Sequence, residues 1–208
     1  IGTESIINAE VLTLSRMATR VINEVGGENK ARLSKIGKAM IIYSCMEKLK
    51  SKLKFLNDTN KNLDLVLNSV TEFKKHSITN EDIDNAISNT EDEYLKLKLN
   101  DIKLILDSYN ERIAGSFIDE SDILGILIEK LDYTNMFDNT LIYIDEFMGF
   151  TVQEYQVLEK LILVANKVTV TVCADELTYD LTDLSDIFYF NKQTANKLIG
   201  IAKANNFK

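Results

Sequence analysis

The stretch Thr140-Leu-Ile-Tyr-Ile-Asp-Glu-Phe147, continued by Met148-Gly-Phe-Thr-Val-Gln-Glu-Tyr155, constrains this chain more than any other. Leu141 to Ile144 form an unbroken apolar run, the pattern of a parallel strand buried on both faces. The run stops at two adjacent carboxylates, Asp145 and Glu146. Thr151 and Glu154 then stand in the S/T-x-x-E relation of a capping box, with Phe150 and Tyr155 spaced as a hydrophobic staple. Val152, Tyr155, Leu158, Ile162 and Ala165 follow at helical spacing, before the β-branched run Val168-Thr-Val-Thr-Val-Cys173. Strand, short turn, helix, strand is a βαβ unit, and it predicts a parallel sheet.

A third apolar segment, Glu10-Val-Leu-Thr-Leu-Ser15, reads as another buried strand passing into a helix. Between it and Leu141 the pattern is helical. Runs over 30–54, 62–75, 79–88, 91–113 and 119–131 carry apolar residues three and four apart, with no convincing strand among them. In the first run Ile36, Met40, Tyr43, Met46 and Leu49 or Lys50 track one face, and Thr90 and Glu93 offer a capping box for the fourth. The expected organisation is an α/β core of residues 1–27 and 136–208, interrupted by an all-helical insertion over 28–135 that is large enough to be a subdomain. A last helix is expected over 190–206, with Thr194, Leu198, Ile201 and Ala202 inward.

Composition narrows the chemistry. The net charge is −8, which disfavours non-specific phosphate neutralisation, so any contact with nucleic acid has to come from a local patch or a partner. Cys45 and Cys173 are isolated, as expected of buried, reduced packing residues in an intracellular protein. No secretory signal and no membrane-length apolar run is visible, which points to the cytoplasm. His76, the only histidine, lies among lysines and reads as a solvated helix-end residue, so zinc is not expected. Proline is absent where ordinary usage would give about ten, a coding habit and not a functional signal. A first residue of Ile1 instead of Met suggests a piece of a longer protein.

Asp followed by Glu at the end of a buried strand is how nucleotide-driven motors hold Mg²⁺ and polarise a water. Strand-ending acids are also common where they only accept hydrogen bonds from the following turn. The phosphate loop G-x-x-x-x-G-K-[ST] does not occur in these residues, and Gly26-Gly27 reads as a helix cap. Ser15 and Arg16, where the first apolar segment enters a helix, offer a hydroxyl, a cation and backbone N–H groups to an anion such as a DNA phosphate. The alternative is a helix N-cap with a solvated arginine. The scattered aromatic residues show no interleaving with cations and read mostly as core.

In order and content these segments resemble the N-terminal helicase-like region of the B-type subunit (AddB) of the AddAB-type ATP-dependent helicase/deoxyribonuclease of low-GC Gram-positive bacteria. The resemblance is strongest over 140–173 and weaker over 10–25. Over the helical insertion it is one of position and character, and Phe188-Tyr-Phe-Asn-Lys-Gln-Thr194 adds a little. It implies a superfamily 1 helicase-like, P-loop NTPase-like core with an inserted helical subdomain. Ser15 and Arg16 would then face single-stranded DNA, and Asp145 and Glu146 would be the Mg²⁺- and water-handling pair. It further implies ATP and Mg²⁺ in the full-length complex, single- and double-stranded DNA as ligands, and a heterodimer with the A-type helicase-nuclease subunit. The module would be a degenerate motor that guides DNA and contributes to recognising a Chi-type signal in break repair and recombination.

The departures fit degeneracy. Active motors continue Asp-Glu with a pattern like Phe-Gln-Asp, whereas Phe147 leads to Met148-Gly149, and Cys173-Ala-Asp-Glu176 replaces a Gly-Asp with its sensor Gln. Glu146 departs in the other direction, since the family often has Gly there. The nuclease domain and iron–sulfur cluster of such subunits lie outside these residues. Two alternatives remain: an active nucleotide hydrolase with its phosphate loop upstream, and a non-enzymatic helical interaction module.

Overall fold

Short polar side chains set most of the helix starts. In the computed structural model, which describes residues 9–26, 30–145 and 148–207, Thr13 accepts the Arg16 N–H and begins α1 (Leu14–Val25). Ser34 accepts the Gly37 N–H and begins α2 (Lys35–Leu49), and Asp58 opens α3 (Thr59–Lys75). Thr79 with Asp82 forms a complete capping box on α4 (Asn80–Asn89), and Asp92 caps α5 (Glu93–Ile113) through the N–H groups of Tyr94 and Leu95. Each cap satisfies donors that a helix start otherwise leaves open. Thr151 and Glu154 make the expected capping box on α7 (Val152–Val164), and the rings of Phe150 and Tyr155 meet edge to face at 5.4 Å. The last helices are α6 (Ile123–Lys130) and α8 (Tyr189–Ala204).

Among the described residues four short strands form two parallel pairs. β1 (Ala31–Leu33) runs beside β2 (Phe117–Asp119), and β3 (Leu141–Ile144) beside β4 (Lys167–Val170), in register Leu141↔Lys167 to Ile144↔Val170. The βαβ unit read from the sequence is therefore present, and the fold is α/β, mostly helical with short parallel sheets. Among the described residues no helix is long and apolar enough to cross a membrane.

Apolar side chains collect in two clusters. One holds Ile42, Met46, Leu56, Val66, Ile105 and Tyr109 where α2 packs on α3 and α5. The other holds Val21, Leu127, Leu131, Phe137, Val157 and Leu161 where α6 lies between α1 and α7. Asp101 of α5 is buried and accepts the N–H groups of Lys54, Phe55 and Leu56, fixing the loop after α2 so that Leu53 and Leu56 enter the first cluster.

Several expectations change. Residues 10–13 are not a strand, and Val11 is 95% exposed. The Thr13 cap and the spacing Leu14, Met17, Ala18, Val21, Ile22, Val25 favour a helix from Leu14, and that period outweighs the short β-branched run. The region expected to lack strands contains β1 and β2, so the helix expected from Lys30 begins only at Lys35. On α2 the buried face is Lys38, Ile42, Cys45 and Met46, while Ile36, Met40 and Tyr43 are exposed. Thr90 is not the cap of α5: the Asp92 carboxylate reaches two N–H groups, and Thr90 closes α4 instead. Cys45 is buried as expected, but Cys173 is exposed, because it lies beyond the last paired residue of β4.

Candidate functional site

The predicted acids stand at the carboxyl end of β3. Asp145 is exposed and accepts the Thr171 hydroxyl, while the Thr171 N–H extends the ladder to the Ile144 carbonyl at 2.9 Å. Glu146 lies outside the described residues. Among those described, no group of three or more His, Cys, Asp or Glu side chains stands close enough to hold a metal ion. A single carboxylate already engaged by a hydroxyl does not by itself make a seat for Mg²⁺ or ATP, which needs further oxygen ligands and a phosphate cradle.

Ser15 and Arg16 lie in the first turn of α1, not at a strand end, and both are exposed. The cap of this helix is Thr13, and the Arg16 N–H is its donor at 3.2 Å. Ser15 borders a cleft of about 520 Å³ that also takes in Ser34, Lys35, Lys75, Ser121 and Thr151. Its floor holds an ion pair: Lys38 and Asp119 are buried and meet at 2.9 Å. Behind it the Tyr109 hydroxyl donates to Asp119 at 2.7 Å, and Lys74 pairs with Asp122 at 2.6 Å. Burial opposes the charge on Asp119, yet the Ser121 N–H, the Lys38 ammonium and the Tyr109 hydroxyl prevail and hold its carboxyl below the ordinary range. Burial, and then the hydrogen bond and charge of Asp119, push the Tyr109 phenol far up.

A second cleft, about 540 Å³, opens on the other side of the α7 N-terminus and shares Thr151 and Glu154 with the first. Phe150, Tyr155 and Phe190 supply its aromatic walls, Lys197 its cation, and His76 an imidazole whose Nε2 lies 3.7 Å from Glu72. The Lys197 ammonium sits 3.9 Å from the centre of the Tyr155 ring, within cation–π range. The Thr194 hydroxyl ties α8 to the turn before α7 by donating to the Met148 carbonyl at 3.0 Å. Among the described residues that line this cleft Glu154 is the one acid, and it is occupied by the capping box. The surface is thus locally aromatic, with one ammonium over a ring, in a chain of net charge −8.

The geometry places Ser15 and the start of α7 along one continuous depression, and it leaves Asp145 off both clefts. Lys197 was not singled out from the sequence, and Phe190 was among the scattered aromatic residues read mostly as core, whereas it is 65% exposed. The available signal was their spacing with Thr194 on α8, three and four residues apart, one step round from the face named by Leu198 and Ile201.

These features define a helix-rich α/β module with a strand-end carboxylate and two adjoining clefts at one helix start. A family model described as "ADDB, N-terminal" matches residues 1–208. The chain is 40% identical over 203 residues to the B-type subunit of the ATP-dependent helicase/deoxyribonuclease of Clostridium botulinum strain Loch Maree, covering 96% of this chain and 18% of that protein. It is 40% identical over 215 residues to the corresponding subunit of Clostridium tetani, covering 100% and 19%. With that of Clostridium perfringens strain 13 it shares 35% over 204 residues, covering 97% and 18%. The chain belongs to the AddB family, and it spans less than a fifth of the length of these relatives.

Proposed function

We propose that this chain acts within an ATP-dependent helicase/deoxyribonuclease in DNA break repair and recombination, as a degenerate helicase module that guides single-stranded DNA. The observation that carries the reading is the pair of clefts that share Thr151 and Glu154 at the start of α7: Phe150, Tyr155 and Phe190 adjoin Lys197 in one, and Ser15 borders the other. Stacking platforms beside cations suit a single strand whatever its sequence, because every base has a π-face. Ser15 and Arg16, at the exposed start of α1, would take a backbone phosphate at the far end of this track. The core over 1–27 and 136–208 and the helical insertion over 28–135 belong to the same proposal, with α6 packed on the core side. So do the superfamily 1, P-loop NTPase-like character of that core, a heterodimer with the A-type subunit, a cytoplasmic site of action and a contribution to Chi-type recognition. ATP and Mg²⁺ serve the complete complex, with Asp145 and Glu146 as remnants of a motor site. The relatives' names support the helicase and nuclease context.

The test is fluorescence anisotropy of labelled single-stranded DNA with the complete two-subunit complex. Phe190→Ala should weaken binding by about 5- to 150-fold, the loss of one stacked base. Arg16→Ala and Lys197→Ala should each lower the slope of affinity against salt by about one unit. Unchanged affinity and salt slope in all three variants would sink the reading.

A further inference from the structure

α8 starts in a way that its own first residues do not favour. α1 to α5 and α7 begin on a side chain that accepts a backbone N–H of the first turn, whereas Phe188 precedes α8 and offers none. The fourth residue of the helix, Lys192, places a cation in the first turn, where the helix dipole disfavours it. Its side chain is only 5% exposed, so the charge is also largely removed from water. Two carboxylates offset both effects: the ammonium lies 2.7 Å from Asp175 and 2.7 Å from Asp186. Asp186 also accepts the Phe188 N–H at 2.8 Å, and its carbonyl accepts the Tyr189 N–H at 3.0 Å. Asp175 lies beyond the end of β4 and Asp186 just before α8, so one ammonium ties together the two ends of a stretch that is neither helix nor strand.

The clamp and the aromatic cleft lie on opposite faces of this helix. Phe190, Gln193, Thr194 and Lys197 recur three and four residues apart and line the cleft. At about 100° per residue Lys192 falls on the far side of α8 from them, and it is not one of the cleft's described lining residues. The Thr194 hydroxyl holds the cleft side through the Met148 carbonyl at 3.0 Å. Two anchors on opposite faces fix both where a helix starts and its rotation about its own axis, whereas one anchor leaves the rotation free. An apolar residue at 192 would fill similar space without the carboxylates, and such an exchange is often neutral for stability. What the ion pairs add is direction, because charge-assisted hydrogen bonds hold a narrow geometry. Phe190, two residues before Lys192, depends on it most: it is 65% exposed and meets the Tyr189 ring edge to face at 5.4 Å. We propose that Lys192 is a positioning residue for single-stranded DNA: clamped between Asp175 and Asp186, it sets the start and rotation of α8 so that Phe190 stands in the cleft wall as a base-stacking platform. The role rests on the aromatic cleft being a single-strand track, and Lys192 itself meets no nucleotide.

The experiment is fluorescence anisotropy of labelled single-stranded DNA with the complete two-subunit complex, held well below its melting transition. It compares Lys192→Met, Asp175→Asn and Phe190→Ala singly, and each of the first two combined with the third. Asp175 is exposed and is not among the described residues of the aromatic cleft, so Asp175→Asn loosens the clamp even if Lys192→Met fails to fold. Lys192→Met should weaken binding about tenfold, within the range for a lost stacked base, and Asp175→Asn about threefold. Both should leave the slope of affinity against salt unchanged, since no phosphate contact is removed. In the Phe190→Ala background each should weaken binding by less than about twofold more, because the platform that they position is already gone. If Lys192→Met and Asp175→Asn bind as wild type while Phe190→Ala binds weakly, the positioning role is overturned and the track reading stands. Losses that add in full to that of Phe190→Ala would overturn it too, as would a reduced salt slope, which would make Lys192 a phosphate contact. A silent Phe190→Ala would remove the platform and the positioning role with it.

Discussion

Asp101 gives the sharpest test of how the helical part of the chain is held. Its buried carboxylate accepts four contacts from three successive backbone donors: Lys54 at 3.0 and 3.1 Å, Phe55 at 2.7 Å and Leu56 at 2.8 Å. Hydrogen bonds to a charged group are worth about 1.5–3 kcal/mol each, and an orphaned buried donor costs about 1–3 kcal/mol. In Asp101→Ala the Lys54 and Phe55 donors sit where water can reach them, but the Leu56 donor is buried with its side chain. The sum is therefore nearer one full loss and two partial ones, about 3–5 kcal/mol in total. For a chain of this length that lowers the melting temperature by roughly 6–20 °C. Asp101→Asn keeps one acceptor oxygen and the shape but loses the charge, so about 1.5–3 kcal/mol is expected. Urea unfolding followed by circular dichroism should place the Asn variant between wild type and Ala, with an unchanged denaturant slope. An Asn variant within about 0.5 kcal/mol of wild type would contradict this account, because a carboxylate holding three donors cannot be replaced by a carboxamide at that cost.

Three further predictions concern the ionic floor and the thiols. Tyr109→Phe removes one donor from the buried Asp119 carboxylate and should cost about 1.5–3 kcal/mol in urea unfolding; no loss would mean that Lys38 and Ser121 already suffice. The folded-state carboxyl of Asp119 is held below its ordinary range, so its stabilising contribution is complete above the unfolded carboxylate pKa of about 3.9 and is lost as pH falls through the folded value. Urea midpoints measured down the acid limb should therefore fall less steeply for Asp119→Asn than for wild type, and parallel curves would count against the assignment. Cys173 should react with a thiol reagent in the native protein while Cys45 reacts only on unfolding, as mass spectrometry of the labelled peptides would show.

What the sequence made legible follows the strength of its local signals. The β3–α7–β4 unit was readable because an unbroken apolar run, a capping box, a staple and apolar residues at helical spacing coincide within thirty or so residues. The segment before α1 misled because a six-residue apolar and β-branched run and the start of an amphipathic helix overlap, and only the Thr13 hydroxyl settles which prevails. β1 and β2 had no readable signal: each is three residues long, and they pair across the whole helical stretch, so their pattern cannot alternate long enough to be seen. Asp101 and Asp119 are no easier. A buried acid serving distant backbone or lysine partners looks, in sequence, like any solvated acid on a helix or loop. The clefts emerged for the same reason only in three dimensions, since His76, Thr151 and Lys197 come from three separate helices or their ends.

The two apolar clusters meet along a seam that is polar, and this bears on how the proposed track would work. Lys74 of α3 reaches Asp122 at 2.6 Å and Asp119 at 3.8 Å, its carbonyl accepts from Gln153 of α7 at 2.8 Å, and Lys38 of α2 completes the group. Exchanging a buried ion pair for apolar packing often costs nothing or even stabilises, whereas removing one partner is severe, so such a seam is poorly explained as a source of stability. It is better explained by direction. Charge-assisted hydrogen bonds fix orientation more narrowly than apolar contact does, and these set the end of α3 against the end of β2 and the turn after it, while the uncharged Gln153 amide joins α3 to the start of α7. Both clefts open at that junction, and His76, immediately after α3, lines the one with the aromatic walls. A Lys74→Met variant would keep much of the buried apolar volume while freeing the junction. If the seam positions the track, single-strand affinity measured well below the melting transition should fall although Lys74 itself touches neither aromatic wall. The melting temperature should fall as well, because one partner of a buried ion pair is lost, and an unchanged affinity would refute the positioning role.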